Sequence, residues 1–279
     1  MKRAPNLKFL ILLMTLLSCG ESDFKKFSKL GELRIVAIKA DIPEVDGTQT
    51  GSVNVTLTPY ISDIESKGRV FQVDVVTCLD SGITQGGETE CENPNVEVYP
   101  NGNSFNTGSL SASNYTGAMD PITITINNPA NLISNFSTQQ KFNGVNYLVA
   151  FRLSSGSTVL NAVKAVSIST RSSYNSNPII SGFEFDGLDL SGSLSKKGKL
   201  KMLFSAGSEA YQVMRADGTI TLKQENLLIS WFVSEGKIRP PRIIDTQFST
   251  FYPKSDNAIT LIGVARDRRG GTDVLIISP

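Results

Sequence analysis

Val145-Asn146-Tyr147-Leu148-Val149-Ala150-Phe151-Arg152-Leu153 is the stretch on which the fold turns, with Val145, Tyr147, Val149, Phe151 and Leu153 in period-two register. Successive side chains of a strand point to opposite faces, so five apolar residues at this spacing predict a long strand with one buried face. The turn-like Ser154-Ser155-Gly156-Ser157 follows, and Val166 and Ile168 resume the pattern, which predicts a hairpin. Shorter copies of the signal recur elsewhere. Val53, Val55 and Leu57 alternate with Asn54 and Thr56; Phe71, Val73 and Val75 with Gln72 and Asp74; Ile122, Ile124 and Ile126 with Thr123 and Thr125. No segment beyond the N-terminus sustains an apolar stripe of helical period, the nearest being Asn131 to Phe136. Many short strands with few helices predict an all-β chain built as a sandwich or barrel.

Two domains fit the length of 279 residues, of which 40 % are apolar and 19 % charged. The polar run Thr170 to Pro178 separates two strand-rich regions, which places domain 1 at 33–172 and domain 2 at 173–279. Domain 2 is close to one immunoglobulin-sized sandwich, with seven expected strands. They are Ile179 to Phe185, Leu200 to Phe204, Tyr211 to Met214, Thr219 to Leu222, Leu227 to Val233, Ala258 to Ala265 and Val274 to Ile277. Domain 1 exceeds a minimal sandwich, and its surplus lies near Leu79 to Asp120, where Gly, Asn and Ser cluster.

The second region opens Asn177-Pro178-Ile179-Ile180-Ser181-Gly182-Phe183, carries Ile229-Ser230-Trp231-Phe232-Val233 in its middle, and runs Val264-Ala265-Arg266-Asp267-Arg268-Arg269-Gly270-Gly271-Thr272 near its end. In these loose motifs it resembles the immunoglobulin-like, PKD-like domains of bacterial envelope lipoproteins. The resemblance covers about 100 positions and implies two tandem immunoglobulin-like β-sandwich domains. One departure stands out: Trp231 lies in the second region, whereas Cys78 and Cys91 both lie in the first.

The N-terminus carries Lys2, Arg3 and Lys8, then the apolar run Phe9 to Leu17. Nine residues span about 14 Å as a helix, roughly half a bilayer core, which suits an export signal and not a membrane span. Leu16-Leu17-Ser18-Cys19-Gly20 resembles the lipobox of bacterial lipoproteins, although Leu17 is bulkier than usual. The resemblance implies cleavage after residue 18, a diacylglyceryl thioether on Cys19, and stable membrane attachment through its acyl chains. Gly20 instead of aspartate after Cys19 implies, by the same likeness, the outer membrane, facing either the periplasm or the cell surface. Residues 19–32 read as a polar tether.

Removal of residues 1–18 takes away three cations and no acid, so the formal charge of +1 becomes −2, and no nucleic-acid partner is expected. The remaining thiols, Cys78 and Cys91, are expected to form a disulfide in an oxidising compartment; a metal site lacks histidine or a third nearby thiol.

The chain has no histidine, which removes Ser-His-Asp and Cys-His nucleophiles. Ser193-Leu194-Ser195-Lys196 and Ser255-Asp256-Asn257 match S-x-x-K and S-D-N, but the first sits in a turn before a strand, and K-T-G is missing. Glu184 and Asp186 alternate with Phe183 and Phe185, which puts both carboxylates on one solvent face, where glycoside hydrolysis needs them across a cleft.

Asp46-Gly47, Asp186-Gly187, Asp217-Gly218 and the loop Asp267 to Asp273 read first as turns and second as calcium loops, and no Asp-x-Asp-x-Asp spacing supports the second reading. Arg266, Asp267, Arg268 and Arg269 read either as a recognition corner or as a solvated charged hairpin. Tyr174, Phe251 and Tyr252 offer aromatic surface for sugars, or core and turn roles. The expectation is a non-enzymatic envelope lipoprotein that needs no cofactor or metal and presents tandem sandwiches to a protein or glycan partner. An envelope hydrolase or transferase using carboxylates or the Ser/Lys pair is the alternative.

Overall fold

Domain 1 contains β1 (Arg34–Ala40), β2 (Glu44–Asp46), β3 (Ser52–Asp63), β4 (Gln72–Leu79), β5 (Glu97–Val98), β6 (Tyr115–Ala118) and β7 (Ile122–Asn127). The short helices α1 (Pro129–Leu132) and α2 (Thr138–Asn143), then β8 (Val145–Ser155) and β9 (Thr158–Ser169), complete it. These come from a computed structural model that describes residues 27–64, 72–80, 97–98, 115–190, 194–255 and 259–278.

The alternating stretch folds as predicted. β8 and β9 pair antiparallel from Val145 with Ile168 to Ser155 with Thr158, leaving Gly156 and Ser157 as the turn. Gly156 takes φ 57°, the left-handed backbone a two-residue hairpin loop needs. Val145, Tyr147, Val149, Phe151 and Leu153 are all buried, none more than 5 % exposed. One sheet has the order β2-β9-β8-β4-β5, and the facing sheet has β1 and β6 on either side of β3, with β7 also on β3. Their inner faces share one apolar cluster, in which Leu57, Ile61, Ile124 and Ile126 face Val149, Phe151, Leu153 and Ile168.

Domain 2 contains β10 (Ile179–Phe185), β11 (Leu188–Asp189), β12 (Gly198–Ala206), β13 (Ala210–Met214), β14 (Ile220–Gln224), β15 (Leu228–Val233), β16 (Lys237–Arg239), β17 (Arg242–Ile244), β18 (Ser249–Tyr252), β19 (Leu261–Arg266) and β20 (Thr272–Ile277). A sheet of order β11-β10-β12-β18-β16 packs on one of order β17-β15-β19-β20. Phe183, Leu200 and Met202 of the first meet Ile229, Trp231, Leu261 and Ala265 of the second. Trp231 is fully buried and meets Phe183 edge-on at 4.9 Å. Gly263 sits where the layers touch: a Cβ there would lie 2.5 Å from Met202 Cε and 2.7 Å from the Phe183 ring. The chain is therefore all-β, built as two tandem sandwiches.

Two of the seven strands expected in the second sandwich are elsewhere. β13 and β14 pair only with each other, as a separate hairpin. Their alternation is real, but Leu222 is 72 % exposed and Ile220 50 %, so the pattern marks a ribbon and not a core strand. The sandwich is completed by β16, β17 and β18, which sequence patterning missed. Pro240 and Pro241 separate β16 from β17, and proline cannot donate to a ladder, so both strands stop at three residues.

The expected tether of residues 19–32 also needs correction at its end. Ser28 O accepts from Val233 N and Leu30 N donates to Val233 O, each at 2.8 Å, and Leu30 is 1 % exposed. From Ser28 onward the chain is docked on β15.

The sheet β17-β15-β19-β20 is buried on both faces. In β15, Ile229, Trp231 and Val233 point into the second sandwich, while Phe232 joins Ile262 and Val264 of β19 in a separate apolar cluster. That cluster is completed from domain 1 by Val36 and Ala37 of β1, and by Leu30. The β1 register slips between Ile35 and Ala37, a bulge that turns both Val36 and Ala37 toward domain 2. At roughly 1.5–3 kcal/mol per buried aliphatic side chain, this shared layer is worth as much as a small core.

Candidate functional site at the junction of the sandwiches

The junction is polar on one side of the shared apolar layer. Glu44 of β2 is 2 % exposed, and its carboxylate accepts from Arg171 Nη2 at 2.5 Å, Arg171 Nε at 3.1 Å, Asn175 N at 2.7 Å and Ser169 Oγ. Burying a carboxylate this deeply is costly unless its lone pairs are filled, and here Ser169 and the polar segment between the domains fill them. Asn175 reaches on to Asp267 Oδ2 at 2.7 Å, so this segment is the centre of the junction, not a loose connector.

The loop between β19 and β20 enters the same space. Asp267 Oδ1 accepts from Arg269 N at 2.7 Å and Gly271 N at 2.9 Å, which folds the loop back on itself. Arg269 then projects inward, bonded through Nε to Glu225, 3.4 Å from Glu209 and 3.9 Å from Glu44, with its guanidinium 4.4 Å from the Tyr211 ring centre. Burial pushes the Glu225 carboxyl up, against the pull of the Glu209 amide and Arg269. Within the segment Arg266 to Gly271, Arg268 is exposed to solvent, whereas Asp267, Arg269, Gly270 and Gly271 form an interlock between domains and not a solvated hairpin.

Three further contacts tie the halves together. Lys164 of β9 is 6 % exposed and donates to Gly270 O and to Thr272 Oγ1, and burial drives its ammonium down to about 8. Lys39 pairs with Asp273 at 2.7 Å. The hairpin β13-β14 is pinned to α2 by Asn143, which donates to Met214 O at 2.9 Å and accepts from Met214 N at 2.8 Å. Ser137 and Gln140 form a capping box that starts α2 and fixes Asn143 beneath the hairpin.

Beside this network an open groove of about 770 Å³ runs between the sandwiches, walled by Phe27, Leu33, Leu160 and Phe232 and carrying Arg34, Arg242 and Arg266. Burial lowers the pKa of Arg34 and takes that of Arg266 to about 10, the latter also through repulsion from Arg242. Sequence reading did not single out Arg34, Arg242, Glu44 or Arg171, because each depends on a partner distant in sequence.

The residues that sequence reading did single out are scattered. Cys19, Cys91, Ser193, Asp256 and Asn257 lie outside the described residues, and Cys78 is buried in β4. Lys196 is exposed in the turn before β12, not on a helix.

Asp186 and Gly187 make the tight turn between β10 and β11 with φ 51° and 85°, and Asp186 Oδ1 accepts from Lys199 N. Asp217 accepts from Thr219 N and Oγ1 in the hairpin turn, which lowers its pKa, and Asp46 does the same with Thr48. These aspartates act as turn residues. Glu184 is paired across the sheet with Lys201 and Asp189. Phe251 is in the core, Tyr252 lies under Lys197 Nζ at 5.0 Å, and burial with the Asp46 contact raises the Tyr174 hydroxyl to about 12.

No protein-family model matches the chain, and no curated protein matches it. Among solved structures, the D00-D0 domain of intimin aligns over 89 % of this chain and 99 % of its own, with 13 % identity and a TM-score of 0.20. A neural ectodermal development factor aligns over 90 % and 95 %, with 8 % identity and a TM-score of 0.23. Red sea bream transglutaminase aligns over 90 % of this chain but 31 % of its own length, with 9 % identity and a TM-score of 0.26. The tandem-sandwich description accordingly rests on the sheets themselves.

Proposed function

We propose that this chain is a non-enzymatic bacterial envelope lipoprotein that presents its two sandwiches, as one rigid body, to a protein or glycan partner. Residues 1–18 are removed, Cys19 carries the acyl chains, and the protein sits on the outer membrane. Cys78 and Cys91 form a disulfide, and the second sandwich belongs to the immunoglobulin-like, PKD-like kind.

The observation that carries the presenting role is the sheet β17-β15-β19-β20, buried on both faces, with Glu44, Arg171 and Arg269 locking the polar side. A rigid spacer holds its outer loops at a fixed height and angle from the membrane, and preorganisation of that sort reduces the entropic cost of binding.

Two experiments test the reading. Metabolic labelling with a fatty-acid analogue should mark the wild-type chain and leave Cys19→Ala unmarked; label on both would contradict the anchor. Purified protein should be inactive on polysaccharide, peptide and ester panels, whereas hydrolysis lost in Ser193→Ala would establish the hydrolase alternative.

A further inference from the structure

We infer that the groove between the sandwiches is a binding site for a phosphomonoester, held by Arg34, Arg242 and Arg266. Three guanidinium groups line this groove against one carboxylate, Glu32, an excess of two positive charges. Among the described residues Arg242 and Arg266 have no anionic partner. Arg266 Nη2 donates to Val36 O at 2.9 Å and Nη1 approaches Ser230 Oγ at 3.5 Å, both neutral acceptors, while Arg242 lies 4.6 Å from the Phe27 ring centre. Arg34 Nη1 is held by Phe27 O at 2.8 Å, and its Nε is buried without any hydrogen-bond partner.

Arg266 is taken out of water with no anion among the described residues to match it, and a buried donor without an acceptor, such as Arg34 Nε, calls for one. Burial and repulsion from Arg242 bring the Arg266 pKa down to about 10, and an anion placed between the two guanidinium groups acts against both effects.

The ligand class follows from charge and shape. A phosphomonoester carries about −1.5 to −2 at neutral pH, which matches the excess of two, and its oxygens fit the planar fork of arginine. The apolar walls formed by Leu33, Ile35, Leu160 and Phe232 suit the organic part of the ester. The volume of about 770 Å³ falls in the range of small-molecule sites. The arginines are positioned in advance by Val36 O, Ser230 Oγ, Phe27 O and the Phe27 ring, so little side-chain order is lost on binding. The ester is either a soluble metabolite or the headgroup of a membrane lipid.

The test uses the full chain carrying Cys19→Ala, so that acyl chains contribute nothing and failure of the anchor reading leaves the result untouched. Glycerol phosphate is titrated calorimetrically in one arm, and in the other the protein is sedimented with phosphatidylcholine vesicles with and without phosphatidic acid. Saturable binding is expected in at least one arm, weakened about tenfold or more by Arg34→Gln and by Arg242→Gln and unchanged by Lys223→Gln on the exposed face of β14. Glycerol phosphate binding identifies a soluble ester, and binding confined to phosphatidic acid vesicles identifies a lipid. Arg242 is exposed, so its substitution leaves the fold intact even if Arg34→Gln does not. Absence of binding in both arms, binding that survives Arg242→Gln, or equal binding of malonate overturns the assignment.

Discussion

Replacing Glu44 by glutamine exchanges one oxygen for NH₂ and removes the charge at the best-buried carboxylate of the junction. Its side chain is 0 % exposed and that of Arg171 is 3 %, so neither charge can be rescued by water. The carboxylate accepts two bonds from Arg171 and one from Asn175 N, and it lies 3.9 Å from Arg269. Glutamine keeps one acceptor oxygen but turns an NH₂ toward a donor, and it leaves the Arg171 guanidinium without a counterion. Removing one partner of a buried pair typically costs about 3–5 kcal/mol, a large share of the roughly 5–15 kcal/mol that holds a domain folded.

Urea unfolding of Glu44→Gln, followed by Trp231 fluorescence and by far-ultraviolet circular dichroism, should show a loss of that size. Because the loss falls at the junction, the two probes should separate into two transitions where the wild type shows one. The double variant Glu44→Leu with Arg171→Met should recover most of the stability, since a matched apolar pair removes both buried charges. A loss below about 1 kcal/mol in the single variant would refute the reasoning, because it would mean that solvent reaches the pair.

Three further outcomes are expected. Ile262→Ala, in the apolar layer between the sandwiches, should cost about 2–5 kcal/mol by denaturant unfolding. Gly263→Ala should destabilise by about 1–3 kcal/mol through overpacking against Met202 and Phe183, and the same substitution should cost less in a Met202→Ala background than in the wild type. Lys164 has its folded pKa lowered from 10.5 to about 8, so the unfolded chain binds the proton more tightly. Its burden is full below pH 8 and is relieved as pH rises toward 10.5, which should make the wild type gain about 3 kcal/mol relative to Lys164→Met across that window.

The sandwiches were legible wherever one strand face is polar. Val145 to Leu153 shows its buried side because Asn146 and Arg152 interrupt it, and Ile122 to Ile126 does so through Thr123 and Thr125. The Asp-Gly steps at 186 and 217 were legible as turns for a local reason, since an aspartate oxygen and a positive-φ glycine close them without help from the rest of the chain.

What escaped is whatever depends on distant partners. Leu228–Val233 and Leu261–Arg266 read as strands, but their continuous burial reflects a second apolar layer supplied by Val36, Ala37 and Leu30. Arg266 to Gly271 reads as surface by composition, yet Asn175, Glu225 and Lys164 receive it from three other parts of the chain. Arg34 and Arg242 are 208 positions apart in sequence and carry no joint motif; only the apolar layer that joins β1 to β15, β19 and β20 brings them to one groove.

The claim on which the presenting role depends is that the two sandwiches move as one body, and backbone amide nitrogen relaxation measures that directly. Residues of β8 in the first sandwich and of β12 in the second should report the same rotational correlation time, that of the whole chain. Two distinct, shorter correlation times would show that the domains tumble separately and would contradict the account.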